Sequence, residues 1–391
     1  MICVFSPAGS LTGGTYRTLR SILGFPRGEY KLLMPVDVKQ GLLDTIAKNL
    51  GTQSPLFSLV ASAEELKPLG VCKGDRHCFR RYGSYLANLL AGFRCNFLYI
   101  PHEHAYIPLG LSQVKWTMLL QVTPVVGSLS TESGHGFILF WRNMQANFKA
   151  GPSKILKSYA RFRTYAKLIE GHRLLAVSRS IPYELEKLGV NPDNLIVLSP
   201  GVGVDPCPYR YERNRDIDLL FYARVLPEKG VYDFLGASKL VKKRVNRELT
   251  VAVAGLASQE EANRVVSYAK KLGIDVTFMF NLVREEALRV LSRAKLLVYP
   301  SKADAFPLVV LEALSCGTPV VAYGIPAVRF NFETEAVVKV PPGDLGRLVA
   351  EVLDALEHCD EKRNEAISYA SQFSWERVSA VEWGVVSSLA I

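Results

Sequence analysis

Two loops in the second half of the chain carry side chains suited to gripping a phosphorylated ligand. Arg224 and Lys229 lie five residues apart in Ala223-Arg-Val-Leu-Pro-Glu-Lys-Gly230, directly after the apolar run Leu219–Tyr222. An arginine fork and a lysine point charge on one loop can converge on a diphosphate. On its own this pattern is weak, and a solvated basic loop is its usual explanation. The second run, from Pro300 to Val320, places Asp304 in a loop, then Phe306, Leu308 and Val309 at the start of a helix, then Glu312 about one turn in. Backbone amides at a helix start form a ready anion site. Glu312 falls on a face otherwise made of Leu308, Val309 and Leu311, where a carboxylate fits best as an acceptor for ligand hydroxyls. The plainer roles are a helix cap for Asp304 and an exposed helix carboxylate for Glu312.

Both loops gain meaning from the elements that must hold them. Apolar runs at 218–223, 249–255, 276–280, 295–300 and 319–323 alternate with helix-like stretches at 231–244, 260–272, 284–294 and 307–316. Near-continuous apolar strands between amphipathic helices imply a parallel sheet covered on both faces. Right-handed crossovers make it a doubly wound, Rossmann-like domain whose ligands sit beyond the carboxyl ends of the strands. The first half repeats this less cleanly, with strands expected at 2–5, 30–34, 96–100, 124–129 and 174–178. A Gly- and Pro-dense segment at 198–209 marks the link between them. The expectation is an α/β protein of two Rossmann-like domains facing across a cleft, 1–200 and 201–374, with a final helix at 375–391 crossing back to the first.

Charge separates the halves. Residues 1–200 hold 23 Lys and Arg against 12 Asp and Glu, while 201–391 hold 24 against 25, so the first half carries the whole net +10. That asymmetry fits an anionic partner such as a membrane surface, a phosphorylated acceptor or nucleic acid, or simply a basic, soluble surface. No RNA- or DNA-reading motif accompanies it, which disfavours nucleic acid. Residues 137–173 hold eight Lys and Arg, one acid and interleaved aromatics. They read as two basic helices covering a sheet, or as a surface for an anionic membrane. No run of about 18 uninterrupted apolar residues occurs. The seven cysteines are odd in number and without a C-x-x-C pair. The expectation is free thiols, no metal site and a cytoplasmic location, free or at the inner face of the membrane.

Taken in order, Pro-Gly-Val-Gly-Val-Asp205, Arg224 with Lys229, Asp304-x7-Glu312, Cys-Gly317-Thr-Pro-Val and Phe373-Ser-Trp375-Glu resemble the GT4-type retaining glycosyltransferases of GT-B fold. The resemblance covers most of 195–380 and thins over the first half, where Gly13-Gly14-Thr15 looks like the family's glycine loop. It implies transfer of a sugar from a nucleotide diphosphate sugar to a sugar, lipid-linked or protein acceptor. Arg224, Lys229 and the amides near Phe306, Leu308 and Val309 would hold the diphosphate, Glu312 the ribose, and Gly13 and Gly14 would lie beside the donor. Asp304, where the family usually has Glu, would contact the sugar near the reacting carbon. No cofactor or metal is implied, because cations and a helix start neutralise the leaving group. The family's histidine after the strand at 124–129 is replaced by Ser130-Thr-Glu132, with His135 nearby. Glu132 and His104 are therefore the first-half candidates for catalysis. A sugar-nucleotide isomerase on the same fold, or a catalytically silent relative, are the alternatives.

Overall fold

The computed structural model describes residues 1–6, 13–45, 64–73, 75–122, 136–148, 151–210, 214–245 and 247–391. Its first sheet contains β1 (Ile2–Phe5), β2 (Tyr30–Pro35), β3 (Glu64–Leu66), β4 (Phe97–Ile100), β5 (Lys115–Leu120), β6 (Leu174–Ala176) and β7 (Leu195–Val197). They are all parallel, in the order β3-β2-β1-β4-β5-β6-β7. The second contains β8 (Ile217–Tyr222), β9 (Val251–Gly255), β10 (Thr277–Phe280), β11 (Ala294–Tyr299), β12 (Val320–Tyr323) and β13 (Val337–Val340). These too are parallel, ordered β10-β9-β8-β11-β12-β13. Each order grows outward in one direction, then returns to the middle and grows in the other. This is the doubly wound signature, with a crevice where the direction reverses.

The central strands form because both faces are covered. β9 and β12 are buried at every residue and β11 at all but Lys295. The helices between them are α7 (Val231–Lys242), α8 (Gln259–Leu272), α9 (Arg284–Arg293), α10 (Leu308–Ser315), α11 (Pro326–Asn331), α12 (Leu345–Glu357) and α13 (Arg363–Ser371), taking α1–α6 for the described helices of the first half. Local chemistry fixes their starts. Ser258 accepts from the Glu261 amide while the Glu261 carboxylate accepts from the Ser258 amide, a reciprocal cap on α8.

The first half departs from its sequence reading. The strand expected at 124–129 lies outside the described residues. The strand beside β4 is Lys115–Leu120, whose opening Lys115 and Trp116 are partly exposed and masked its apolar end. The cysteines also differ from expectation: Cys3–Cys95, Cys72–Cys78 and Cys207–Cys316 are disulfides, leaving Cys359 free and buried. Two of the pairs are separated by 92 and 109 residues and meet only through the fold, so spacing along the chain could not show them. Among the described residues no helix is long and apolar enough to cross a membrane.

The first-half helices are α1 (Gly13–Ile22), α2 (Val36–Thr45), α3 (Arg76–Gly92), α4 (Gly136–Phe148), α5 (Pro152–Gly171) and α6 (Ser180–Lys187). The last helix, α14 (Trp375–Ala390), leaves the second sheet and packs on α1 and β5. Its anchor is Glu382, fully buried, which forms an ion pair with buried Arg17. Ser21 Oγ donates to Glu382 Oε2 at 2.7 Å and Tyr99 OH to Oε1 at 2.5 Å. Arg17 Nε also donates to the Gly201 carbonyl of the link at 2.9 Å. One guanidinium thus ties both passages of the chain between the sheets to α1. Removing one partner of a buried ion pair strands the other charge and costs about 3–5 kcal/mol. Glu382→Ala is expected to lower unfolding stability by that order, read from the denaturant midpoint, whereas a loss below about 1 kcal/mol would contradict this anchoring.

Candidate functional site

In the second sheet the reversal lies between β8 and β11, and the loops leaving these two strands are the two that carry the expected residues. Gly230 lets them touch. Its φ is +81°, and a Cβ there would stand 1.9 Å from the Pro300 carbonyl oxygen. Only glycine meets both demands. A hydrogen bond from the Lys302 amide to the Glu228 carbonyl (2.8 Å) fastens the loops together.

This contact brings Lys229 to Asp304. Lys229 Nζ donates to Asp304 Oδ2 and to the Ala303 carbonyl, each at 2.8 Å. Tyr299 OH donates to Oδ2 at 2.5 Å and the Ala305 amide to Oδ1 at 2.9 Å. Burial alone would raise the Asp304 pKa, but Lys229 and these hydrogen bonds hold it below the usual carboxylate range. Asp304 is therefore an ionised, immobilised carboxylate that fixes the lysine. Arg224 is exposed at the same strand end and has no ion-pair partner among the described residues. Leu308 and Val309 open α10 and supply its first amides, which have no acceptor within the helix. The Phe306 ring lies beside them, 5.5 Å from that of Phe332. Cations and amides thus line one rim of the crevice.

Glu312 lies one turn into α10 and is 7% exposed. Its partner is a residue the sequence reading passed over. Arg284, at the start of α9, donates to Glu312 Oε1 at 2.5 Å and lies 3.4 Å from Asp205 Oδ2. Its guanidinium sits 4.6 Å from the Tyr16 ring centroid. Tyr16 OH donates to Asp205 Oδ2 at 2.8 Å, and Arg20 pairs with the other oxygen of Asp205. The signal was available: a buried acid on an apolar helix needs a cation, and Arg284 follows the strand end of β10.

In the first sheet the strand order reverses between β1 and β4. Gly13 and Gly14 are the first residues of α1, at the carboxyl side of β1. Glu132 and His135 lie outside the described residues. His104 is built into its loop: Nδ1 accepts from the amides of Tyr106 (3.3 Å) and Ile107 (3.1 Å), and the ring meets Phe79 at 4.8 Å. Burial, with Arg161 adding to it, lowers its pKa to about 4. Neutral, with Nδ1 engaged as an acceptor, it carries its proton on Nε2 and can donate there but not act as a base. His102, lowered by burial to about 3, keeps a buried Nε2 with no partner among the described residues. Contacts that close the crevice run from Ser180 Oγ to the Ala305 carbonyl (3.2 Å) and from Asn331 Nδ2 to Ser178 Oγ (2.7 Å).

Two facing Rossmann-like domains, with a cationic, amide-lined crevice at the reversal of the second sheet, define a protein of GT-B type. Residues 211–373 match the family described as Glycosyl transferases group 1. The match falls within the part of the chain, 195–380, where the motifs resemble the GT4-type glycosyltransferases. The D-inositol 3-phosphate glycosyltransferase 2 of Catenulispora acidiphila is 32% identical over 237 residues, 55% of this chain and 56% of that protein. Glycogen synthase of Mycobacterium tuberculosis is 29% identical over 222 residues, 54% of this chain and 52% of the relative. The chain spans about half the length of the curated relatives it matches. The solved structure of Anabaena HepE in complex with UDP superposes over 99% of both chains with a TM-score of 0.69 at 13% identity, a likeness of fold.

Glu103, between the two histidines, offers a test of this wall. Burial raises its pKa from 4.5 to about 7, against the pull of the Gln121 amide that donates to it at 3.1 Å. Between these values the unfolded chain loses the proton and the folded one keeps it, so stability falls as pH rises from about 4.5 to 7. Glu103→Gln is expected to flatten that part of the stability profile, measured by urea midpoints across the range. An unchanged slope would show that Glu103 is ionised in the folded protein.

Proposed function

We propose that this chain is a retaining glycosyltransferase that moves a sugar from a nucleotide diphosphate sugar to an acceptor hydroxyl. The observation that carries the reading is the convergence of Arg224, Lys229, the α10 amides and Glu312 on one crevice. Arg224 and Lys229 grip the diphosphate, the amides of Phe306, Leu308 and Val309 add donors, and Glu312 accepts from the ribose. As the sugar C1–oxygen bond to phosphate breaks, negative charge grows on the diphosphate, where these donors are already aimed. The acceptor oxygen bonds to C1 from the same face, and its proton passes to the departing phosphate oxygen. That path retains configuration and asks no side chain to act as base. It also fits the occupied Nδ1 of His104. Gly13 and Gly14 let the start of α1 approach the donor closely. Asp304 holds Lys229 until the diphosphate arrives, and the same carboxylate then faces the sugar. In this reading the two cations and the helix start meet the leaving charge without a metal. An isomerase would need acid and base groups aimed at a sugar C–H, and none is placed for that among the described residues.

Removing a charge-assisted contact costs about 1.5–3 kcal/mol. Calorimetric titration with UDP, GDP and ADP should find one that binds, and Arg224→Ala should weaken it about 10- to 100-fold. Absence of binding by all three would defeat the donor assignment and favour a silent relative.

The acceptor in this reading is a sugar or a lipid-linked sugar, reached at an anionic membrane surface. The support is the α4–α5 pair, where Phe137, Ile138 and Leu156 are exposed. Leu156, Arg163 and Lys167 follow one another at spacings of seven and four on α5 and so share a face. Apolar residues flanked by basic ones are the pattern of an interfacial surface. Each basic residue near such a surface contributes about 1 kcal/mol. Reversing Arg163 and Lys167 to Glu together should reduce cosedimentation with vesicles rich in phosphatidylglycerol at least about 10-fold. Equal binding by the double variant would remove the membrane from this proposal.

A further inference from the structure

We propose that Arg284 is a positioning residue that aims the Glu312 carboxylate at the donor ribose and ties that carboxylate to the first domain. The inference rests on the donor reading above and adds a residue outside its motifs.

Glu312 has an electrostatic problem that only a neighbour can solve. Its side chain is 9% exposed, on a helix whose flanking Val310, Leu311, Ala313 and Leu314 are fully buried. An ionised carboxylate there, without a cation, would carry a large desolvation cost. Arg284 supplies the cation at 2.5 Å and engages Oε1. Oε2 has no donor among the described residues, although the side chain around it is packed. A carboxylate gripped at one oxygen and open at the other is arranged to accept from a pair of vicinal hydroxyls.

The other side of Arg284 explains why it stays in place. Its guanidinium lies over the Tyr16 ring and beside Asp205, which Tyr16 and Arg20 of α1 also hold. Two guanidiniums and two carboxylates alternate along this chain, so no charge is left over. The path runs from α1 through the link between domains to α9 and α10. A ribose seated on Glu312 therefore completes a network already anchored in the opposite domain.

The test separates ribose hydroxyls from the rest of the donor. Calorimetry would compare the nucleoside diphosphate that binds the wild type with its 2′,3′-dideoxy form, on wild type, Arg284→Ala, Arg284→Lys and Glu312→Gln. In the wild type, loss of the hydroxyls should weaken binding about 10-fold or more. Arg284→Ala should weaken the ribose form about 10-fold while leaving the dideoxy form within about twofold, as should Glu312→Gln. Arg284→Lys should recover part of the difference, and it serves as the folded variant if the alanine form does not fold. Equal losses for both forms would mean that Arg284 acts on the diphosphate or on folding and would overturn the proposal, as would unchanged or tighter binding of the ribose form. If no diphosphate binds the wild type, the donor reading itself fails, a result distinct from any difference among the variants.

Discussion

The site depends on one topological constraint, the reversal of strand order between β8 and β11. Parallel strands send all their loops from the carboxyl end, and only at a reversal do two adjacent loops part and leave space between them. Arg224, Lys229 and the first amides of α10 come from that place. The geometry is so close that the chain has no room for a side chain at position 230, where a Cβ would strike the Pro300 carbonyl. The first sheet repeats the reversal between β1 and β4.

Within that frame the crevice prepares its charges in matched sets. Lys229 is neutralised by Asp304, and Arg284 by Glu312 and Asp205. Buried ion pairs add little net stability, because desolvation offsets their attraction. Their value here is placement. Lys229 is held against Asp304 of the adjoining loop, and the Glu312 carboxylate is held against Arg284. A ligand that enters meets groups already oriented, so little ordering remains to be done at the moment of binding.

The second half was legible because its strands are apolar on both faces and its helices carry clear starts. Its strands and helices fall within a few residues of where the sequence put them, and the loops carrying Lys229 and Asp304 meet. What stayed hidden was pairing in three dimensions. Arg284 stands 28 residues before Glu312 on another helix, and nothing in their spacing joins them. The same holds for Arg17 with Glu382 and for Cys207 with Cys316. The first half was harder for a local reason. β5 begins with Lys115 and Trp116, partly exposed at its edge, and ends in a short buried run that merges with the apolar residues after it. His104 stood out there as a catalytic candidate by type, and the loop uses its Nδ1 to receive its own amides.

The closing helix also bears on how the protein is made. β1 to β7 leave the ribosome long before α14, yet Arg17 is buried against Glu382 near the very end of the chain. Until that helix arrives, α1 carries an unmatched cation and an uncovered apolar face. The second domain has all its strands by residue 340 and has no such wait. The order of completion therefore runs opposite to the order of synthesis, with the domain made first being the one finished last. A nascent chain cut short near residue 374 would release a completed second domain joined to an unfinished partner.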